Sequence, residues 1–224
     1  MSELRIDKLP GSDEPIVVID DIHPDPQSLV AAARGGDFKP IAPHYPGVRA
    51  PVPRGYLDTL IPKLAEPLRD VFGYDKGLRL QECYFSLATT APSDLKPMQR
   101  MPHIDGTDPA KVAVLHYLCG PEHGGTSFYR HRSTGMTRIQ ADVFQAYRSA
   151  VYNDVDRLGM PEAAYPDGDS EMYERTAFYP AQFNRVVIYR GISLHAVSIG
   201  SPEMLVVDAD AGRLTVNTFL TPAA

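Results

Sequence analysis

The order of apolar and polar positions predicts a mixed amino-terminal third followed by a strand-rich remainder. The apolar run PIVVIDDI (15–22) has the length of a short strand. After it, QSLVAAAR is rich in helix formers, with Asp25 and Pro26 suited to its start and Gly35–Gly36 to its end. Apolar residues recur at helical spacing in 55–74, so a second helix should pack one stripe against a sheet, although its two prolines are expected to kink or divide it.

Beyond residue 79, runs of branched and aromatic residues separated by turn signals predict strands. The runs are LQECYFSLATT, KVAVLHYLC, GGTSFYRH, YERTAFYPA, NRVVIYRG, LHAVSIG and RLTVNTFL. With the stretch around His103 they make eight strands, which suits a double-stranded β-helix (jelly roll) with a ligand site between its two sheets. We therefore predict a mainly β fold with flanking helices, of the α+β class.

A helical pattern at 141–160 interrupts the strands, and the polar segment that follows it is a candidate lid together with that helix. The length fits a single domain, residues 1–224. Within it we expect 1–79 to be a helical and stranded support. Residues 80–222 should be the jelly-roll core, with a helical insertion at about 137–175.

Charge excludes some classes of partner. The net charge of −6 and a pI near 5.6 argue against binding to nucleic acid or to an anionic membrane surface. The first residues carry acids and lack an apolar core segment, so we expect no signal peptide or membrane anchor, and a cytoplasmic protein by default. Cys83 and Cys119 are interpreted as packing residues.

The candidate chemistry lies in MPHIDGT and ISLHAVSIG. His103 and Asp105 are two positions apart, so an extended strand would place both side chains on one face, and His195 would be the third ligand. Two imidazoles and one carboxylate leave three positions of an octahedron open, as in non-haem Fe(II) oxygenases. A His-x-Asp triplet alone is a weak signal, but here Gly106 follows it, and the distal histidine is followed by an Arg-x-Thr.

These residues resemble the Fe(II)- and 2-oxoglutarate-dependent dioxygenases, closest to the prolyl-hydroxylase-like branch, over residues 80–222. The chain is also similar to a bacterial family of uncharacterised proteins with this fold through QRMPHIDGTDP, AVLHYLCGPEHGGTSFYRH and NRVVIYRGISLHAV. The resemblance implies that His103, Asp105 and His195 bind iron and that Arg213 receives the distal carboxylate of 2-oxoglutarate. Gly124–Gly125 matches the turn that opens the fourth core strand.

The chemistry of Arg213 agrees with that role, because a planar guanidinium holds a carboxylate through two parallel hydrogen bonds. Thr215 is two positions further and should add a hydroxyl on the same face. In the resembled branch tyrosines also contact the co-substrate, which makes Tyr117 and Tyr129 candidates. The alternative for Arg213 is a salt bridge to Asp208 or Asp210.

The implied reaction uses Fe(II), 2-oxoglutarate and O2 to hydroxylate a C–H bond, and the retained Asp105 favours hydroxylation over halogenation. The substrate could be an amino acid, a peptide or a small metabolite. Arg49, Arg130 and His131 are weak candidates for contacting it, each with a structural alternative, while His116 is interpreted as a hydrogen-bonded core residue. Two other classes stay open, a cupin-like metalloprotein that does not use 2-oxoglutarate and a non-catalytic accessory protein.

Overall fold

The computed structural model describes residues 4–41 and 44–223, and within them the chain forms ten strands and three α-helices. The helices are α1 (Pro26–Arg34), α2 (Tyr56–Asp70) and α3 (Phe144–Leu158). The strands are β1 (Leu4–Lys8), β2 (Pro15–Ile19), β3 (Gly47–Pro51), β4 (Leu78–Ala88), β5 (Val112–Tyr117), β6 (Gly125–His131), β7 (Tyr173–Pro180), β8 (Arg185–Arg190), β9 (His195–Ser198) and β10 (Leu214–Pro222). The predicted mainly β, α+β composition is confirmed.

The strands form two antiparallel sheets. The larger has the order β1-β2-β8-β5-β10-β4-β3 and the smaller the order β7-β6-β9. The amino-terminal strands β2 and β3 pair directly with β8 and β4, so residues before 80 extend the larger sheet. The division into support and core, and the single domain itself, stay predictions.

The strand predicted around His103 is wrong. The segment makes one isolated bridge, in which His103 and His195 exchange backbone hydrogen bonds of 2.8 and 2.9 Å, and then Asp105 donates its backbone N–H to Gly191. Asp105 bonds Gly191 and not Ser193, which would continue the antiparallel register, so the pairing ends after one bridge. The segment therefore lies beside β9 at the edge of the smaller sheet without becoming a strand.

Helix α1 is confirmed as predicted, since Pro26 is its first residue and the Asp25 carboxylate accepts the Ser28 backbone N–H. Helix α2 contains Pro62 and Pro67 but is not divided. Its buried leucines, at every fourth position, pack against residues of the larger sheet. The free energy gained by this burial offsets the loss of the backbone hydrogen bonds that the prolines cannot make. The leucines are Leu60, Leu64 and Leu68. None of the described helices has both the length and the apolar character needed to cross a membrane.

Three apolar clusters define layers. The first joins α1 and α2 to one face of the larger sheet, the second lies between the two sheets, and the third joins α3 to the other face of the smaller sheet. Strand β8 shows the alternation, since Val186 and Ile188 face the helices while Val187 and Tyr189 face the smaller sheet. The inner faces of the two sheets therefore enclose the region where a ligand can bind.

Candidate metal centre

Three side chains of the two predicted motifs converge. His103, Asp105 and His195 each offer one ligand atom, and these atoms lie within 4.8 Å of one another. The Asp105 carboxylate is 3.5 Å from Nε2 of His195 and 3.9 Å from Nε2 of His103, and the two imidazole rings are 4.4 Å apart. The backbone bridge between His103 and His195 is what brings these distant parts of the chain together. This donor set can hold a divalent metal ion and leave positions open.

The His195 ring is fixed for metal binding. Its Nδ1 lies 2.9 Å from the carbonyl oxygen of Ser193, so Nδ1 carries the hydrogen and Nε2 presents its lone pair towards Asp105. Burial lowers the pKa of His195 to about 4, so the ring is neutral at pH 7. A neutral, oriented imidazole is the form that a metal ion requires.

Asp105 lacks a hydrogen-bond donor for one carboxylate oxygen. Its Oδ2 is buried without a partner, and burial raises the pKa of the carboxyl group, with nearby cations including Lys111 and Arg49 opposing the shift. The Lys111 ammonium donates to the Asp105 carbonyl oxygen at 3.0 Å and thereby holds the segment. A buried carboxylate oxygen with no donor is costly unless a cation binds it, so Asp105 fits a metal ligand.

Arg213 lies just before β10 and is buried, with 3 % exposure. One Nη donates to the carbonyl oxygen of Gly125 at 2.9 Å, Nε has no partner, and none of the described carboxylates pairs with the guanidinium. Asp210, one of the two salt-bridge candidates, instead pairs with Arg34. A buried guanidinium without a counter-ion is suited to bind an anion.

The Gly125 carbonyl, which accepts the hydrogen bond from Arg213, is positioned by a turn at Gly124 and Gly125. Gly124 has φ +87°, and a side chain there would collide with the carbonyl oxygen of Ser198. Strand β6 then begins at Gly125, as the sequence predicts. Only glycine allows the chain to turn this closely into the strand.

A cavity of about 690 Å³ lies between the sheets and contains both the three-residue cluster and Arg213. Its wall follows from strand register, because alternate residues of β4, β5 and β10 face the same side. Two rows of residues, each paired across β4, β10 and β5, lie on that side. The first row is Glu82, Phe219 and Ala113, and the second is Tyr84, Asn217 and Leu115. All six line the cavity.

None of the other predicted co-substrate residues lines the cavity: Tyr117 and Thr215 are buried near Arg213, and Tyr129 is buried elsewhere. Thr215 donates its hydroxyl to Asn217 at 2.9 Å, and the Tyr117 ring lies 5.5 Å from the Arg213 guanidinium while its hydroxyl bonds Thr126. These residues support Arg213 and the cavity wall. Tyr129 belongs to the cluster on the α3 side of the smaller sheet, where its ring packs 6.4 Å from that of Tyr173.

Of the three weak substrate candidates, one lines the cavity and two do not. Arg130 pairs with Glu174 at 3.3 Å and is absent from the cavity lining, and His131 is fully buried between Thr134 and Asp154, where it links β6 to α3. Only Arg49 lines the cavity. Arg49 also has structural contacts, because its guanidinium pairs with Glu82 and lies over the Tyr45 ring.

Helix α3 does not border the cavity, because its apolar stripe packs on the outer face of the smaller sheet. The segment after it does contribute, since Pro166 lines the cavity. The neighbouring Tyr165 donates its hydroxyl to the carbonyl oxygen of Thr90 at 2.8 Å. Within the candidate lid, the cavity contact therefore comes from the loop.

Sequence reasoning missed Tyr189, Lys111 and Glu82. The Tyr189 ring packs 4.8 Å from that of His195, and the other two side chains line the cavity. Alternation along β8 could have found Tyr189, because it shares the inward face with Val187. Nothing local distinguishes Lys111 or Glu82 from ordinary exposed strand charges.

The chain is similar to known proteins in two ways, through a family model that matches its sequence and through its fold. A family model described as a family of unknown function, DUF6445, matches residues 2–220. A comparison with curated proteins finds no match. The fold is similar to HygX from Streptomyces hygroscopicus, a structure with nickel and 2-oxoglutarate bound, with a TM-score of 0.54 and 15 % identity over 93 % of this chain and 83 % of that one.

It is also similar to SnoN, a non-haem α-ketoglutarate-dependent epimerase from nogalamycin biosynthesis. That match has a TM-score of 0.52 and 14 % identity, and it covers 93 % of this chain and 78 % of SnoN. The fold therefore resembles that of two proteins described by their use or binding of 2-oxoglutarate, as the sequence predicted. The assignment to the prolyl-hydroxylase-like branch stays a prediction.

Proposed function

Since this chain belongs to the family of unknown function DUF6445, whose description gives no reaction, we propose its activity from its site: a non-haem Fe(II)- and 2-oxoglutarate-dependent oxygenase. The observation that carries this proposal is that one cavity is lined by a cluster of three metal-binding side chains and by a buried guanidinium that none of the described carboxylates pairs with. His103, Asp105 and His195 form the cluster, and the guanidinium is that of Arg213. A metal ion and a dicarboxylate that chelates it would fit both.

The residues fit these two ligands. His103, Asp105 and His195 would hold Fe(II) on one face, and Arg213 would hold the distal carboxylate of 2-oxoglutarate. The similarity of the fold to HygX and SnoN favours the same choice of ligands, and the two packed sheets agree with a double-stranded β-helix. We place Tyr117, Thr215 and Tyr129 outside direct contact, the first two as support for the wall around Arg213.

With Fe(II) bound, the chemistry supplied is the coupled conversion of 2-oxoglutarate, O2 and a substrate C–H into succinate, CO2 and a C–OH. The chain's own contribution is position and exclusion of water. Ser193 orients His195, Lys111 holds the Asp105 backbone, and Tyr189 packs on the imidazole. The Asp105 carboxylate favours hydroxylation over halogenation, because it would occupy the place of a halide at the iron.

An anaerobic titration tests the proposal. Metal-free protein is titrated with Fe(II) and then with 2-oxoglutarate, while the visible charge-transfer band of a chelated keto acid is recorded. We expect a saturable band that Arg213→Gln shifts to at least about tenfold higher 2-oxoglutarate, because a charge-assisted bidentate contact is lost. Arg130→Gln is the matched control, since that arginine lies outside the cavity lining, and it should leave the titration unchanged.

The other outcomes identify the alternatives. Iron binding without the band would overturn the use of 2-oxoglutarate and favour a cupin-like metalloprotein. Absence of iron binding would favour an accessory protein. A band followed by succinate release in air would justify a search for the substrate.

A further inference from the structure

Arg49 lines the cavity, and one edge of its guanidinium has an unpaired donor. It lies on β3, the edge strand of the larger sheet, and its side chain is 11 % exposed. The guanidinium lies 4.7 Å over the Tyr45 ring, and one Nη reaches the Glu82 carboxylate at 3.3 Å. Its Nε is buried without a hydrogen-bond partner. The long contact with Glu82, which is half-exposed, therefore uses only part of the fork of donors.

The balance of charge in the cavity points the same way. Three cationic and two carboxylate side chains line it: Arg49, Lys111 and Arg213, and Glu82 and Asp105. Fe(II) and doubly charged 2-oxoglutarate cancel each other, so one positive charge stays uncompensated when both are bound. A ligand that brings one further negative charge would balance the cavity.

Two cations other than Arg213 line the cavity, and of these Arg49 is the one with a buried donor that has no hydrogen-bond partner. The Lys111 ammonium is already bonded to the Asp105 carbonyl oxygen and lies 4.4 Å over the Phe219 ring. The wall between β3 and β5 is otherwise largely apolar or aromatic, with Tyr84 and Leu115 on the inner face. At the rim, Met98 and Ile41 are well exposed, at 66 % and 50 %.

We propose that Arg49 anchors the carboxylate of the primary substrate, which is a small carboxylic acid with an apolar body. The Nε edge of the guanidinium binds the carboxylate, Glu82 and Tyr45 hold the guanidinium in place, and the apolar wall packs against the rest of the molecule. This inference rests on the proposed function, because it assigns Arg213 to 2-oxoglutarate and leaves Arg49 for the substrate.

The test uses the full chain loaded with Ni(II), which replaces Fe(II) and prevents turnover, and saturated with 2-oxoglutarate. The probes are straight-chain and phenyl-substituted carboxylic acids, each paired with its own carboxamide, and binding is measured by ligand-observed NMR. We expect the best acids to bind at least about tenfold more tightly than their amides, as for one charge-assisted bidentate contact. Arg49→Gln should bring that ratio close to one, and Arg49→Lys should leave an intermediate ratio, because lysine keeps the charge but not the planar fork.

Arg130→Gln again provides the control, because it removes another arginine that contacts a glutamate at 3.3 Å, away from the cavity lining. The inference is overturned if no acid is preferred over its amide, or if the preference survives in folded Arg49→Gln protein. Calorimetry of 2-oxoglutarate binding in the same samples separates this result from a failure of the proposed function. If 2-oxoglutarate does not bind, the oxygenase proposal fails, and the acid and amide pairs are compared on the Ni(II)-loaded protein alone with the same criterion.

Discussion

Nδ1 of His195 lies 2.9 Å from the carbonyl oxygen of Ser193, two residues earlier in the chain. This contact decides which ring nitrogen can bind a metal. Nδ1 carries the hydrogen and donates it to the carbonyl, so the lone pair of Nε2 is left to bind the metal. The backbone of His195 in turn exchanges hydrogen bonds with the backbone of His103, in the bridge that closes the cluster. The metal centre is therefore organised by backbone groups before any ion binds.

Replacement of a cluster residue should abolish metal-dependent chemistry. We expect His103→Ala and Asp105→Ala to eliminate Fe(II)-dependent consumption of 2-oxoglutarate, because two remaining ligands do not hold iron in the required geometry. Metal content after dialysis and succinate release are the measurements. His44→Ala is the control, since His44 lines the cavity but does not belong to the cluster. Normal turnover in either cluster variant would show that the metal lies elsewhere.

Asp105→Asn should have opposite effects on the stability of metal-free and metal-loaded protein. Without metal, the buried Oδ2 has no donor, and an amide at this position can donate to Nε2 of His195. We expect the free energy of unfolding to stay equal or rise by about 1 kcal/mol, or roughly 2–4 °C in the melting temperature. With Ni(II), wild type should gain stability and the variant should not.

Asp154→Asn is the contrasting change. The Asp154 side chain is also largely inaccessible to solvent, but its carboxylate accepts hydrogen bonds from Ser133 and Arg157, so its loss should destabilise the protein. Thermal melts of wild type and of both variants, each with and without Ni(II), measure these effects. A marked loss of stability in metal-free Asp105→Asn would mean that the carboxylate is structural.

Stability should fall in acid because of His116. This histidine is fully buried, its Nδ1 lies 3.0 Å from the Tyr56 hydroxyl and its Nε2 lies 3.1 Å from Oδ1 of Asn184. Asn184 also donates its amide to the carbonyl oxygen of His23, so Oδ1 must accept and the imidazole is neutral with its hydrogen on Nε2. The expectation that His116 is a hydrogen-bonded core residue is thus confirmed.

Burial lowers the pKa of His116 to about 3, against 6.5 as the ordinary value. The unfolded chain therefore binds a proton first, so the contribution of His116 to stability is complete above pH 6.5 and declines as the pH falls towards 3. At pH 5 the loss is about 2 kcal/mol relative to pH 7. Urea unfolding of metal-free protein at the two pH values measures it. His116→Gln should remove this part of the pH dependence, whereas an unchanged dependence would assign it to other histidines.

Much of the site could be predicted from sequence because its parts have local signatures. His103 and Asp105 stand two apart before a glycine, and Gly124–Gly125 opens β6 where the turn leaves no room for a side chain. Arg213 could be singled out, but the sequence left a salt bridge to Asp208 or Asp210 open. In the structure Asp210 pairs with Arg34, 176 residues away, and Asp208 accepts the backbone N–H groups of Asp210 and Ala211, so neither carboxylate pairs with Arg213.

The sequence by itself determined the alternation of the strands, the helices α1 and α2 and the three candidate metal ligands, because these depend on short-range periodicity and on side-chain chemistry. Only the tertiary structure decided that Arg49 lines the cavity while Arg130 and His131 do not, and that α3 packs outside the smaller sheet. These differences arise from which strands become neighbours, and an edge strand such as β3 joins the sheet through contacts distant in the chain. No local pattern encodes such long-range pairing, and so the charges that surround the ligands could be assigned only after folding.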